Sequence, residues 1–340
     1  MKQLLFLLLA LIGVSRLTFA QSEFHLIKKT VIGGEGGWDY LSVDSKSGVL
    51  YVSHSTQVEV LNAKTHGKIG VIPGLQGVHG VIAVPELGRG ITTNGRSNSA
   101  TIFDLKSLQP IIELPTGKNP DALLYDSYSK RVFVFNHSDV TATAIDIGKN
   151  AVVGTIDLGG TALEAGATDE KGTIFVNLEE ANEIVSFDAM ALTIKNRWKI
   201  SPCEEPTGLA LDKKSNRLFS VCHSGVMMIV DAQSGNIVSQ VPIGKRVDGV
   251  VFDPELKLAF SSNGEGTITV VQEISPSEFK VIQTIKTEPG ARTIALDPKT
   301  HHVFVTTAQY GETPAATAEN PNPRPKVLPN TFMILEYGTD

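Results

Sequence analysis

Short apolar runs alternate with clusters of turn residues along the whole chain, and the alternation is periodic. Leu41-Ser-Val-Asp44 is followed by Val49-Leu-Tyr-Val-Ser53, Leu123-Leu-Tyr-Asp126 by Val132-Phe-Val-Phe135, and Ile294-Ala-Leu-Asp297 by Val303-Phe-Val-Thr306. The first run of each unit ends at Asp44, Asp126, Asp169, Asp212, Asp253 or Asp297, and Val84 fills the gap after Asp44 as a degenerate copy. Seven copies at a spacing of about 42 residues constrain the architecture more than any local propensity does.

Within a unit, β-branched and aromatic runs bounded by Asp, Asn, Lys, Ser and Gly read as strands. A third strand ends near Asp104, Asp146, Asp188 and Asp231, and a fourth follows, as in Gly67-Lys-Ile-Gly-Val-Ile72. Four short antiparallel strands repeated seven times predict an all-β fold, a seven-bladed β-propeller, over a sandwich or a solenoid. The last unit supplies strands at 293–297, 302–307 and 331–336 and lacks a fourth. The unpaired run at 25–32 is expected to join it, which closes the ring and removes two open edges.

Lys2, the apolar run Leu4 to Val14 and Thr18-Phe19-Ala20 before Gln21 predict a secretory signal peptide cleaved near Ala20–Gln21. Residues 1–20 are then a leader, and 21–340 one propeller domain destined for the periplasm or the medium. The apolar run is too short for the roughly 20 residues that span a bilayer. Lys and Arg number 30 against 36 Asp and Glu, with no basic stripe, which argues against a nucleic-acid groove. A monomer is expected. The cysteines, Cys203 and Cys222, fall at the same end of one predicted blade. Export permits a bridge between them; two buried thiols are the alternative.

The repeat also aligns polar residues. Five positions before each anchor stand Asp39, His79, Asp121, Glu164, Thr207, Asp248 and Arg292. At the end of each second strand stand His54, Asn94, Asn136, Asn177, Cys222, Asn263 and Thr307. First strands line a propeller's channel, so both rings are expected at its mouth. Asp39, His54, His79, Asn94, Asp121, Asn136, Glu164, Asn177, Asp248, Asn263 and Arg292 are therefore the candidate ligand-binding residues. Glu164, Asn136, Asn177 and Asp248 form a candidate oxygen-rich set for a divalent cation, Ca²⁺ or, with histidine nearby, Zn²⁺. Crowded carboxylates call for such a cation or for raised pKa values. Strand-end capping by Asp and Asn and solvation of a wet channel explain the same residues without a ligand.

His137 and His223 directly follow second-ring positions and are placed near the mouth, whereas His25, His66, His301 and His302 are expected to face solvent. Trp38 is assigned to inter-blade packing or to a ligand. The insert 308–330 carries Pro314, Pro321, Pro323, Pro325 and Pro329 and leaves the last blade on the mouth side, where it would form an extended cover.

The phrases Leu50-Tyr-Val-Ser53, Val132-Phe-Val-Phe135, Ile174-Phe-Val-Asn177 and Val303-Phe-Val-Thr306 resemble the YVTN propeller repeat. Over residues 24–337, including Pro329-Asn-Thr-Phe-Met-Ile334 after the insert, the chain is similar to the YncE family of exported bacterial propellers. That resemblance implies a seven-bladed propeller outside the cytoplasm and no established catalysis. Three functions follow: an exported propeller binding a small molecule, metal ion or protein at its channel mouth; a metal-dependent lactonase or esterase with His54 or His79 moving protons; or an interaction scaffold with an inert channel. The second is an analogy of residue type and position to propeller lactonases only.

Overall fold

The aspartate that ends each apolar run accepts the hydrogen bonds of the turn that follows it. In the computed structural model, which describes residues 23–317 and 323–340, Asp44 Oδ1 accepts from the N–H groups of Lys46 and Ser47 at 3.0 and 3.2 Å. Asp212 accepts from Lys214 and Ser215, Asp253 from Glu255 and Leu256, and Asp297 from Lys299. Asn62, Asp104, Asp188 and Asp231 repeat the device after third strands. Such turns satisfy backbone donors locally and set the strand register. The degenerate copy lacks the carboxylate at Val84, and there a 3₁₀ turn, Pro85–Leu87, ending on Gly88 at φ 62°, does the work instead.

Seven four-stranded antiparallel sheets result. Blade one holds the strands Leu41–Asp44, Val49–His54, Gln57–Asn62 and Lys68–Ile72. Blades two to seven open with Val78–Val84, Pro120–Asp126, Leu163–Thr168, Pro206–Asp212, Val247–Asp253 and Ile294–Asp297. The predicted closure is present: His25–Val31 pairs antiparallel with Met333–Gly338 and completes blade seven. The leader at 1–20 lies outside the described residues. Among those described, no helix is long and apolar enough to cross a membrane.

Second and third strands are buried and fourth strands are largely exposed, so the apolar core lies between blades. Phe133 and Phe135 of blade three, for example, are fully buried with Ile174, Val176 and Phe187 of blade four. Arg89 and Arg131 staple successive blades, their Nη1 groups donating to the carbonyls of Ile147 and Ala189 at 2.7 and 2.8 Å. Cys203 and Cys222 form a disulfide with Cα atoms 5.6 Å apart, and both are buried. It ties the loop before blade five to the end of that blade's second strand.

The insert begins as a ladder. Tyr310 bridges Val327, Gly311 N–H donates to Lys326 and Leu328 N–H to Gln309, each at 2.8 Å. The Tyr310 ring lies 6.3 Å from that of Trp38, which stacks on Phe332 at 5.4 Å, so the base of the insert docks at the junction of blades seven and one. Its stretch 318–322 lies outside the described residues.

Candidate functional site

The first strands line a central cavity of 160 Å³, with Leu41, Val81, Leu123, Gly166, Leu209, Val250 and Ile294 contributing one wall position from each blade. Just above them the strands crowd together, because the residue after six of the seven ring positions is small: Gly80, Ala122, Ala165, Gly208, Gly249 and Thr293. A Cβ on Gly208 would stand 2.8 Å from the Val250 nitrogen of the next blade, so only glycine permits that approach. Hydroxyl groups fix the neighbouring backbones. Thr93 Oγ1 donates to the Asp121 carbonyl at 2.5 Å, Thr293 Oγ1 to that of Asp39 at 2.7 Å and Thr207 Oγ1 to that of Val247 at 3.1 Å.

This packing brings the first ring into contact as a chain of alternating charge. Arg292 pairs with Asp248 through Nη1 and with Asp39 Oδ1 through Nη2 at 3.3 Å. Asp39 Oδ2 lies 2.7 Å from His79 Nδ1, which lies 3.2 Å from Asp121 Oδ1. His137 Nδ1 follows, 3.2 Å from Glu164 Oε1 and 3.0 Å from the Leu163 carbonyl. Thr207, its hydroxyl on a backbone carbonyl, interrupts the sequence before Asp248. The cations that four carboxylates require are thus supplied partly by the ring itself.

The compensation is incomplete. Burial, then the charges of Asp39 and Glu164, hold Asp121 well above the usual carboxylate range. Burial lifts Glu164 to about 7 against the opposing pull of His137. Burial also raises Asp248, with Arg292 opposing. Burial pulls His79 down, but Asp39 and Asp121 outweigh it and its pKa rises. The hydrogen bond to Glu164 raises His137 to about 9. Desolvated carboxylates that hold protons are carboxylates short of a counter-charge.

Donor atoms of Asp39, His79 and Asp121 lie within 4.8 Å of one another, as do those of Asp121, His137 and Glu164, so Asp121 belongs to both triads. A third such group, Glu179, Glu205 and His223, sits where blade four meets blade five, with His223 Nδ1 3.0 Å from Glu205 Oε2.

The second ring is placed differently from the expectation: its side chains enter the blades. Asn94 donates to the hydroxyls of Ser99 and Thr101 at 3.2 and 2.8 Å, Asn136 to Thr141 and Thr143 at 2.9 Å each, and Asn263 to Thr267 and Thr269 at 3.0 Å each. Asn177 donates to the carbonyls of Thr207 and Gly208 and accepts from Ser220. These amides stitch second strands to third strands or to the next blade. Of the four-residue cation set of Glu164, Asn136, Asn177 and Asp248, Asn136 and Asn177 thus direct their amide N–H groups into the sheets. Asn136 Oδ1 is left buried without a partner, since Val134 stands where Thr92 and Ser261 give hydroxyls to Asn94 and Asn263. His54 is buried in blade one, 3.3 Å from Glu59 Oε1 and packed on Phe332 with ring centroids 4.5 Å apart.

Among the other histidines, His25 is exposed as expected, whereas His66 is buried. His66 Nε2 lies 3.1 Å from Glu336 and its Nδ1 2.8 Å from the Thr30 hydroxyl, because the closing strand covers the turn that carries it. His301 and His302 are partly covered against Asp253 and Glu336.

Sequence reasoning missed Tyr40. It is the one large residue in the row of small ones beside the ring, and that contrast was visible in the aligned copies. From blade one its side chain lines the cavity and packs on the core shared by blades three and four, so it reaches across the channel. Burial and the carboxylates of Asp121, Glu164, Asp248 and Asp39 raise its pKa well above the usual tyrosine value. Glu179 and Glu205 were also missed, because neither occupies a repeated position.

The fold and its charged mouth define a seven-bladed β-propeller. Neither a protein-family model nor a curated protein sequence matches the chain. Solved structures do. A chain of the Mitotic Checkpoint Complex aligns with TM-score 0.75 at 13% identity, covering 100% of this chain and 99% of that one. A chain of Kuenenia stuttgartiensis Hydrazine Synthase aligns with TM-score 0.71 at 13% identity, covering 88% of this chain and 98% of that one. At such identity the likeness is one of fold alone.

Proposed function

We propose that this chain is an exported binding propeller of the YncE type whose channel mouth captures a divalent cation at Asp39, His79 and Asp121, with His137 and Glu164 completing the adjoining triad. The observation that carries this is the pair of overlapping donor triads sharing Asp121. Each triad contains an imidazole, which favours a borderline ion such as Zn²⁺ over Ca²⁺, an ion that prefers six to eight oxygens. The Cys203–Cys222 disulfide supports export, since such bonds persist outside the cytoplasm. Thermal melting of chelator-treated protein tests the reading. Zn²⁺ at about 100 times its Kd stabilises a one-site protein by about 2.7 kcal/mol, a clear rise in Tm. No rise with Zn²⁺, Mn²⁺ or Ca²⁺ removes the proposal.

A further inference from the structure

A metal ion at the rim does not account for the cavity beneath it. The 160 Å³ lumen is lined mostly by aliphatic side chains, alanine and glycine, together with Tyr40, Ser42 and Asp248, and in size it matches the roughly 150 Å³ of an engineered cavity that takes up benzene.

Three groups at or beside the rim of this lumen keep unused hydrogen-bonding capacity. Asp248 is 8% exposed and lines the cavity, yet only its Oδ2 is engaged, by Arg292. Asp121 Oδ1 is buried and receives no hydrogen bond, its charged neighbour being His79 Nδ1 at 3.2 Å. Tyr40 spans the lumen with carboxylates of three other blades as electrostatic neighbours, and no described residue hydrogen-bonds its hydroxyl. An aromatic ring set among carboxylates over a chamber lined mostly by aliphatic side chains suits a nitrogen cation attached to an apolar body: the carboxylates take its N–H donors and the ring face takes its charge.

We propose that the lumen and its rim bind a primary ammonium ion carrying a benzene-sized apolar group, with the ammonium held by Asp248, Asp121 and Tyr40 and the apolar group in the lumen. The proposal rests on the reading of the mouth as a cation site and names an organic ligand for it. A bare metal ion satisfies the rim and leaves the lumen unused; a neutral aromatic fills the lumen and leaves the remaining carboxylate capacity of the rim unused. The ammonium ion does both.

Calorimetric titration of the full mature chain with benzylamine tests this. Benzylamine is expected to bind at least about tenfold more tightly than benzyl alcohol, which has the shape without the charge, and than methylamine, which has the charge without the body. Naphthylmethylamine, too large for the lumen, is expected to bind more weakly than benzylamine. Asp248→Asn is expected to weaken benzylamine by about tenfold or more. Should that variant not fold, Tyr40→Leu provides the same test from the aromatic side. Equal affinity for benzyl alcohol and benzylamine, or unchanged affinity in the folded variants, overturns the proposal. Zinc binding without benzylamine binding overturns it while leaving the metal reading intact; failure of both ligands removes both.

Discussion

Arg292 Nη2 of the last blade lies 3.3 Å from Asp39 Oδ1 of the first, a contact spanning 253 residues of sequence. The backbone closure made by His25–Val31 is thus matched at the mouth by a charged one, and Arg292 also holds Asp248. Replacing Arg292 with Gln leaves the largely buried Asp248 without its paired cation and Asp39 with His79 alone. The expected loss is about 1–3 kcal/mol by urea unfolding, less than for a fully buried pair because the Arg292 side chain is 42% exposed. Adding Asp39→Asn to Arg292→Gln is expected to recover part of that loss. A double variant no more stable than the single one would show that the pair is not coupled.

The disulfide makes a second prediction. Cys203 and Cys222 enclose a sequence separation of 19 residues. Replacing both with Ser is expected to cost about 3 kcal/mol on the chain-entropy scale. Thiol titration of unfolded, unreduced protein checks the bond itself, with no reactive thiol expected; two thiols per chain would contradict it.

Acid sensitivity is expected from blade one. Hydrogen bonding by His54, with help from Lys68 and Gln57 and against the effect of burial, lowers Glu59 from 4.5 to about 2. A carboxylate depressed in the folded state contributes stability above its unfolded pKa and loses it as pH falls through the folded one. The Glu59 contribution is therefore present above pH 4.5 and vanishes between there and about 2. Glu59→Gln should lower Tm at pH 7 and flatten its decline over that window. A parallel pH profile would remove Glu59 from the explanation.

Asn94 separates scaffold from site. Its amide donates to Ser99 and Thr101 within the sheet. Asn94→Ala leaves buried hydroxyls unsatisfied and is expected to destabilise by about 1–3 kcal/mol while leaving cation affinity unchanged. A loss of affinity at unchanged stability would return the second ring to the mouth.

The period, the blade number and the closing strand were legible in the chain because each blade repeats the same packing problem. The turn aspartates are the clearest case: Asp44, Asp212 and Asp253 recur because each receives the same turn N–H groups. The first ring was legible for the same reason, down to Arg292 in the seventh copy. What the alignment could not show was direction. A register shift between Val78 and Val81, repeated between Pro120 and Leu123 and between Pro206 and Leu209, turns the first strands at the ring. Second strands lie between two neighbours, so Asn94 and Asn136 point into hydrogen-bonded sheet rather than open channel. His66 was misplaced because its burial depends on the blade that closes the ring, with Thr30 on one strand and Glu336 on the other. Tyr40 was overlooked because its meaning lies in the smallness of its counterparts.

The central claim is that Asp121 anchors a cation at the mouth. Its most direct measurement is a calorimetric zinc titration of chelator-treated protein, run on the unaltered chain, on Asp121→Asn and on Asn94→Ala. The expected result is saturable binding that Asp121→Asn weakens by about tenfold or more and Asn94→Ala leaves unchanged. Absence of binding in the unaltered chain, or equal affinity in Asp121→Asn, would contradict it.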